Sequence, residues 1–323
     1  MTVPQAFFLQ QSLETTGNAG EFDAANARWS WVAQGGLRIE PHTDTGLCGV
    51  IISVGVHGDE TVPIRLLDTW LARATEGRLN IRRPMLVLLG NPEAVVAGRR
   101  FVQHNMNRLF SSASEQDRAS ECQRAVVLMN VARDFARQHP EGLHFDMHST
   151  IKPSDQDRFA VIPVDCKTMD LSGLHAWFRH FAVDAWVQNI SPAAAFSSFT
   201  ARLGYRSATL ELGQVSALDE PIDRFLPLLA ELDRLASGPA SEADHTITGF
   251  HVIDEIIRPE GTFELCLEDF VNFRQWQKGT LIARSDDSEW RVQNDGDALL
   301  FLNADVPPGH RVALVIHRIL RHR

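Results

Sequence analysis

The sequence predicts an α/β fold, with a central sheet flanked by helices, followed by a smaller β-rich domain. Three observations carry that expectation. The run Leu47 to Val56 is almost wholly apolar and β-branched, as in a strand covered on both faces. Strand-like and helix-like stretches then alternate as far as Leu235. At Ser237-Gly238-Pro239-Ala240-Ser241-Glu242-Ala243 the texture turns small, polar and proline-containing, as linkers are. The expected division is a first domain over residues 1–237, a linker over 238–245 and a second domain over 246–323.

Each element follows from a local pattern. Leu37 to Pro41 reads as a short strand, Thr43 to Gly46 as a turn, and Leu47 to Val56 as the central strand. That strand stops at Gly55, and His57-Gly58-Asp59-Glu60-Thr61-Val62-Pro63 has the acidic residues and proline of a helix start. Leu66, Leu67, Trp70 and Leu71 keep helical spacing, so a helix is expected from Glu60 to about Ala74. Pro84 to Gly90 is a second buried strand, delivering Asn91-Pro92-Glu93 and a polar stretch through Arg108 to the same sheet edge. Ser112 to Glu115 resembles a capping box, and Cys122 to Ala136 carries the stripe of a long helix ended by Pro140. Strands follow at His144 to His148, Phe159 to Val164, Ala185 to Asn189 and Ala208 to Gly213, with helices near Leu171 to Phe181 and Ile222 to Leu235. In the second domain six short segments begin at Thr246, Thr262, Leu281, Glu289, Ala298 and Arg311, the pattern of a small all-β module.

Composition narrows the class. A composition of 44% hydrophobic and 22% charged residues is ordinary for a globular enzyme and argues against extensive disorder. No apolar run approaches transmembrane length. The first twenty residues have no basic start and no long apolar segment, so a cytoplasmic location is expected. Cys48, Cys122, Cys166 and Cys266 show no CxxC spacing and are expected to be free and mostly buried. A formal charge of -10 disfavours nucleic acid and anionic membrane surfaces as partners. An acidic substrate would then require a local cluster of arginines.

His57 and Glu60 stand at the carboxyl end of the central strand, where open α/β sheets bind ligands. They offer an imidazole and a carboxylate, and a catalytic zinc site needs one more protein ligand. His148, at the end of another strand, is the candidate third; the alternative is a set of structural histidines. There is no HExxH helix, and Thr61 stands where HxxEH would need its second histidine. Asp146 shares a strand face with His148 and is expected either to hold that histidine from behind or to be satisfied by loop amides. Glu211, a carboxylate among apolar strand residues, suits a proton shuttle with a raised pKa; a structural ion pair with an arginine is the alternative. Arg99, Arg100 and Arg108, flanked by His104, Asn105 and Asn107, form a polar loop suited to carboxylates, against the plainer reading of a solvated basic face. His139, His175, His180, His251 and His310 lack ligand spacing.

Taken together, Val56-His57-Gly58-Asp59-Glu60-Thr61, Asn91-Pro92-Glu93-Ala94-Val95, Gly98-Arg99-Arg100-Phe101, Asn105-Met106-Asn107-Arg108-Leu109-Phe110, Asp146-Met147-His148 and Leu210-Glu211-Leu212-Gly213 resemble the succinylglutamate desuccinylases. These are zinc hydrolases in the aspartoacylase branch of the carboxypeptidase-like superfamily. The resemblance implies a zinc carboxypeptidase-like mixed central sheet, and one zinc ion per subunit on His57, Glu60 and His148. It implies Glu211 as general base, Arg100, Asn107 and Arg108 as substrate contacts, and Arg100 at the scissile carbonyl. The implied reaction is hydrolysis of N2-succinyl-L-glutamate to succinate and L-glutamate, the last step of the succinyltransferase route of arginine breakdown. Met147-His148-Ser149-Thr150-Ile151-Lys152 departs in detail from the family's more usual leucine-histidine-threonine run after the aspartate, with the ligand intact. The expected partner is a small acidic N-acyl amino acid and, beyond that, at most further copies of the chain in a homo-oligomer. Competing readings are an aspartoacylase-like deacylase, and a noncatalytic zinc-binding or interaction protein on the same fold, which would not need Glu211.

Overall fold

The computed structural model describes residues 7–13, 20–111, 117–214, 225–241 and 243–319. A short helix, α1 (Phe7–Leu13), and a hairpin, β1 (Glu21–Ala24) and β2 (Ala27–Ala33), precede the strands that the sequence marks. Then come β3 (Gly36–Pro41), β4 (Val50–Val54), α2 (Thr61–Thr75), β5 (Met85–Leu89), α3 (Pro92–Ala97), α4 (Ser120–Gln138) and β6 (Leu143–Thr150). They are followed by β7 (Phe159–Ile162), α5 (Ser172–His180), β8 (Ala185–Gln188), α6 (Phe196–Arg202), β9 (Arg206–Gln214) and α7 (Pro227–Ser237). The last strands are β10 (Thr248–Ile257), β11 (Phe263–Leu265), β12 (Leu281–Ser285), β13 (Glu289–Arg291), β14 (Ala298–Leu300) and β15 (Arg311–Arg318). The capping box expected at Ser112 to Glu115 lies outside the described residues, as does the expected helix start at Ile222.

Among the described residues, twelve strands form one sheet in the order β1-β2-β3-β5-β4-β6-β9-β7-β8-β10-β15-β14. β5, β4, β6 and β9 run parallel at its centre, while β3 and β7 are antiparallel to their inner neighbours, so the sheet is mixed. Both faces of the centre are covered. Ile52, Val54, Phe145 and Met147 pack with Leu66 and Trp70 of α2 and Leu232 of α7, whereas Ile51 and Leu88 pack with Leu128 of α4 and Phe196 of α6. Each such side chain contributes about 1.5–3 kcal/mol when fully buried. Trp70 also donates its Nε1 proton to Asp233 Oδ1 at 2.9 Å, which ties α2 to α7 and fixes the helix that starts at the site.

The C-terminal part is β-rich, and some of its strands extend the central sheet. β10 pairs in parallel with β8, and β15 and β14 continue the main sheet antiparallel, while β11, β12 and β13 form a sheet of their own. An open edge at β8 would leave a row of backbone groups unpaired, and the alternating strand β10 satisfies them. No helix of the described residues is long and apolar enough to cross a membrane. The four cysteines are free, but only Cys122 and Cys166 are buried; Cys48 is exposed and Cys266 half-buried.

Candidate active site

The site grows out of the loop after β4. Gly55 takes a left-handed turn with φ 65, where a side chain is strained. A Cβ on Gly58 would lie 2.1 Å from the carbonyl carbon of Ala94, so the loop rests directly on the backbone of α3. These two glycines turn His57 and Glu60 inward, where both are buried. Glu60 occupies the N-cap of α2 yet makes no capping hydrogen bond, because its carboxylate is engaged elsewhere.

That carboxylate is the hub of the site. Glu60 Oε1 lies 2.8 Å from His57 Nδ1 and accepts a hydrogen bond from Arg100 Nη1 at 2.9 Å. Glu60 Oε2 lies 2.9 Å from His148 Nδ1 and accepts the Ser149 amide at 3.1 Å. A break in the β6–β9 register between His148 and Thr150 aims that amide out of the ladder. The other ring nitrogens face acceptors: His57 Nε2 is 3.0 Å from Asn105 Oδ1, and His148 Nε2 is 3.1 Å from Asp146 Oδ2. Asp146 thus sits behind His148 and is held by side chains rather than loop amides.

Electrostatics follow this geometry. Burial alone would raise Glu60, but His148 and His57 hold it well below the usual carboxylate range. Burial pushes His57 below its usual value against the pull of Glu60, whereas Asp146 and Glu60 overcome burial and raise His148 well above it.

The donor set fits a divalent cation. One ligand atom from each of His57, Glu60 and His148 lies within 4.8 Å of the others, all three residues being buried. With each Nε2 facing an oxygen acceptor, both Nδ1 atoms point at the Glu60 carboxylate and can serve as ligands toward one point when a cation takes the place of the protons between them. Two imidazoles and a carboxylate, with a fourth position for water, is the ligand pattern of catalytic zinc.

Glu211 stands directly across from His148 in the β6–β9 register. Its Oε2 is buried and has no hydrogen-bond partner, which disfavours a structural ion pair. Burial raises the carboxyl to about 7, with His148 and Arg100 opposing and Glu60 and Asp146 reinforcing. The arginines separate: Arg99 is exposed, while Arg100 reaches Glu60. Arg108 is open to solvent yet ringed by protein; desolvation, then the charges of Arg311 and Arg100, lowers it to about 10. Asn107 is buried, and its Oδ1 accepts the first amide of α6, Phe196, at 3.4 Å.

Two contributors escape sequence reading. Arg311, from the second domain, adds positive charge beside Arg108, and nothing in its local pattern signals that. Glu121 of α4 is buried and accepts the amides of Val102 at 2.7 Å and Gln103 at 3.0 Å, pinning the arginine loop. Its place in the first turn of a helix was the available signal.

Fold and site together define a hydrolase-type centre on the carboxyl edge of a mixed α/β sheet, with a buried His-Glu-His cluster and a proton-holding carboxyl. The family described as succinylglutamate desuccinylase/aspartoacylase catalytic domain matches residues 48–235, and the AstE/AspA barrel-sandwich hybrid domain matches residues 245–319. The chain belongs to the succinylglutamate desuccinylase/aspartoacylase family. It is 35% identical to a succinylglutamate desuccinylase of Burkholderia pseudomallei (strain 1710b) over 308 residues, covering 92% of this chain and 88% of the relative. It is 32% identical to one from Yersinia pestis (strain Pestoides F), covering 91% of each. A solved succinylglutamate desuccinylase of Vibrio parahaemolyticus superposes with a TM-score of 0.90 at 26% identity, over 99% of this chain and 97% of that one.

Proposed function

We propose that the protein hydrolyses the amide bond of N2-succinyl-L-glutamate to succinate and L-glutamate, with one zinc ion held by His57, Glu60 and His148. The reading places it at the last step of arginine breakdown by the succinyltransferase route, in the cytoplasm. The observation that carries it is the convergence of those three side chains beside Glu211, a buried carboxyl raised to about 7. A divalent ion bound there supplies Lewis acidity, acidifying water and polarising the substrate carbonyl.

The chain's own groups supply the rest. Glu211 takes a proton from the attacking water as its oxygen bonds to the amide carbon. It returns that proton to the nitrogen as the C–N bond breaks, so one water is consumed and succinate and glutamate leave. A carboxyl near neutrality suits both transfers. Arg100, with one proton on Glu60, has further donors for the negative charge that develops on the carbonyl oxygen. Arg108 and Asn107 face the substrate's ends, and Arg311 adds to the positive field that its three carboxylates need in a protein of net charge -10. In this reading the catalytic unit spans residues 1–237, and the tail 246–323, after the linker 238–245, borders the cleft.

The family's aspartoacylase side motivates a second reading, a deacylase for another N-acyl amino acid. Turnover of N2-succinyl-L-glutamate, N-acetyl-L-aspartate and N-acetyl-L-glutamate separates the two. The proposal expects the succinyl substrate to be strongly preferred, and a clear preference for acetylaspartate would overturn it.

A further inference from the structure

The face of the central sheet below the site is polar although it is sealed by α4 and α6. Ser53 of β4, His144 and Asp146 of β6, Thr200 of α6 and Ser207 of β9 are each 0% exposed. No substrate reaches them, so this Ser, His and Asp grouping is not a nucleophilic triad.

Their distances order the protons. Ser53 Oγ lies 2.5 Å from Asp146 Oδ1 and 2.8 Å from His144 Nε2. An ionised carboxylate only accepts, so the single proton of Ser53 is committed to Asp146. Ser53 can then only accept from the ring, which fixes the His144 proton on Nε2. His144 Nδ1, 2.7 Å from Thr200 Oγ1, is therefore a lone pair, and the threonine hydroxyl donates into it. Thr200 has longer alternatives at the carbonyls of Ser197, 3.0 Å, and Phe196, 3.3 Å, and Ser207 Oγ at 2.9 Å can donate into it in turn. Burial pushes His144 down to about 4, in keeping with the neutral ring this order requires. At the far end Asp146 Oδ2 accepts the Nε2 proton of His148 and leaves its Nδ1 facing Glu60.

We propose that Ser53 and His144 are positioning residues of the metal centre. With Thr200 they form a hydrogen-bond chain of fixed polarity that orients Asp146 and, through it, the His148 ring, so that Nδ1 is the atom offered to the cation. The inference rests on the reading of His148 as a ligand. A carboxylate held by one donor instead of two can rotate, and the ring it grips loses both its tautomer and its angle.

The test is the zinc affinity of the full chain, by competition with a chromophoric chelator and with no substrate present. Ser53→Ala is expected to weaken zinc binding about 10- to 100-fold, while Ser53→Thr, which keeps the hydroxyl, stays much closer to wild type. A folded S53A with wild-type affinity would overturn the proposal. Should S53A fail to fold, the nitrogen-15 imidazole spectrum of the metal-free wild-type protein decides. The Nε2–H form of His144 supports the chain, and the Nδ1–H form refutes it. Because zinc binding is read without turnover, loss of affinity in S53A supports the chain whether or not succinylglutamate proves to be the substrate. A wild-type chain that bound no zinc would overturn both this proposal and the ligand reading.

Discussion

Glu211 should make the metal-free protein less stable as pH rises, and replacing it should reverse that. The residue is 7% exposed, and its carboxyl is raised from the ordinary 4.5 to about 7. Below pH 4.5 the folded and unfolded chains both hold the proton, and Glu211 contributes no pH dependence. Between 4.5 and 7 the unfolded chain releases it while the folded chain retains it, so stability falls with rising pH. Above 7 the cost is complete, at about 3 kcal/mol for a shift of this size. Glu211→Gln keeps the shape without the charge. Its urea denaturation should therefore match wild type near pH 4.5 and exceed it by up to about 3 kcal/mol at pH 8. The comparison uses chelator-treated protein, because a bound cation favours the ionised carboxylate. A difference that stayed constant from pH 4.5 to 8 would refute the account of Glu211 as a carboxyl kept protonated by burial. In zinc-loaded protein the same variant should lose most turnover and keep its metal.

Other expectations concern the loops that frame the cluster. Gly58→Ala sets a methyl 2.1 Å from the Ala94 carbonyl carbon and should cost about 1–3 kcal/mol in a thermal melt, with zinc affinity falling as His57 and Glu60 shift. Wild-type affinity in that variant would contradict the close packing on α3. Arg100→Gln should lower kcat about 100- to 1,000-fold with zinc content unchanged, read by steady-state kinetics and metal analysis. Glu121→Ala removes the acceptor of the Val102 and Gln103 amides, so KM should rise and those amides should exchange faster. An unchanged KM would mean that the arginine loop holds itself.

Much of this was legible because the centre of the fold is built from strongly patterned segments. Val50–Val54 is apolar but for Ser53 and Met85–Leu89 is apolar throughout, and runs of that kind with turn residues at both ends have few alternatives to a covered strand. His57 stood out just past the end of such a run, and His148 at the end of an alternating strand. The short helices did not stand out. Pro92–Ala97 and Phe196–Arg202 span fewer than two turns, too short for periodicity to register. Phe196–Arg202 also hides serine and threonine in the core, where they serve the buried polar chain rather than solvent. Long-range pairing was equally opaque. Nothing local in Thr248–Ile257 says that it joins Ala185–Gln188 in parallel, and with that pairing unknown Arg311 could not be brought to Arg108.

The most direct test of the central claim is zinc stoichiometry measured together with N2-succinyl-L-glutamate hydrolysis, on wild-type protein stripped with chelator and titrated back with zinc. Turnover should be absent in the stripped protein, rise in proportion to bound zinc and saturate at one ion per chain. Hydrolysis that survived complete removal of the metal, or zinc bound at one per chain with no release of succinate, would contradict it.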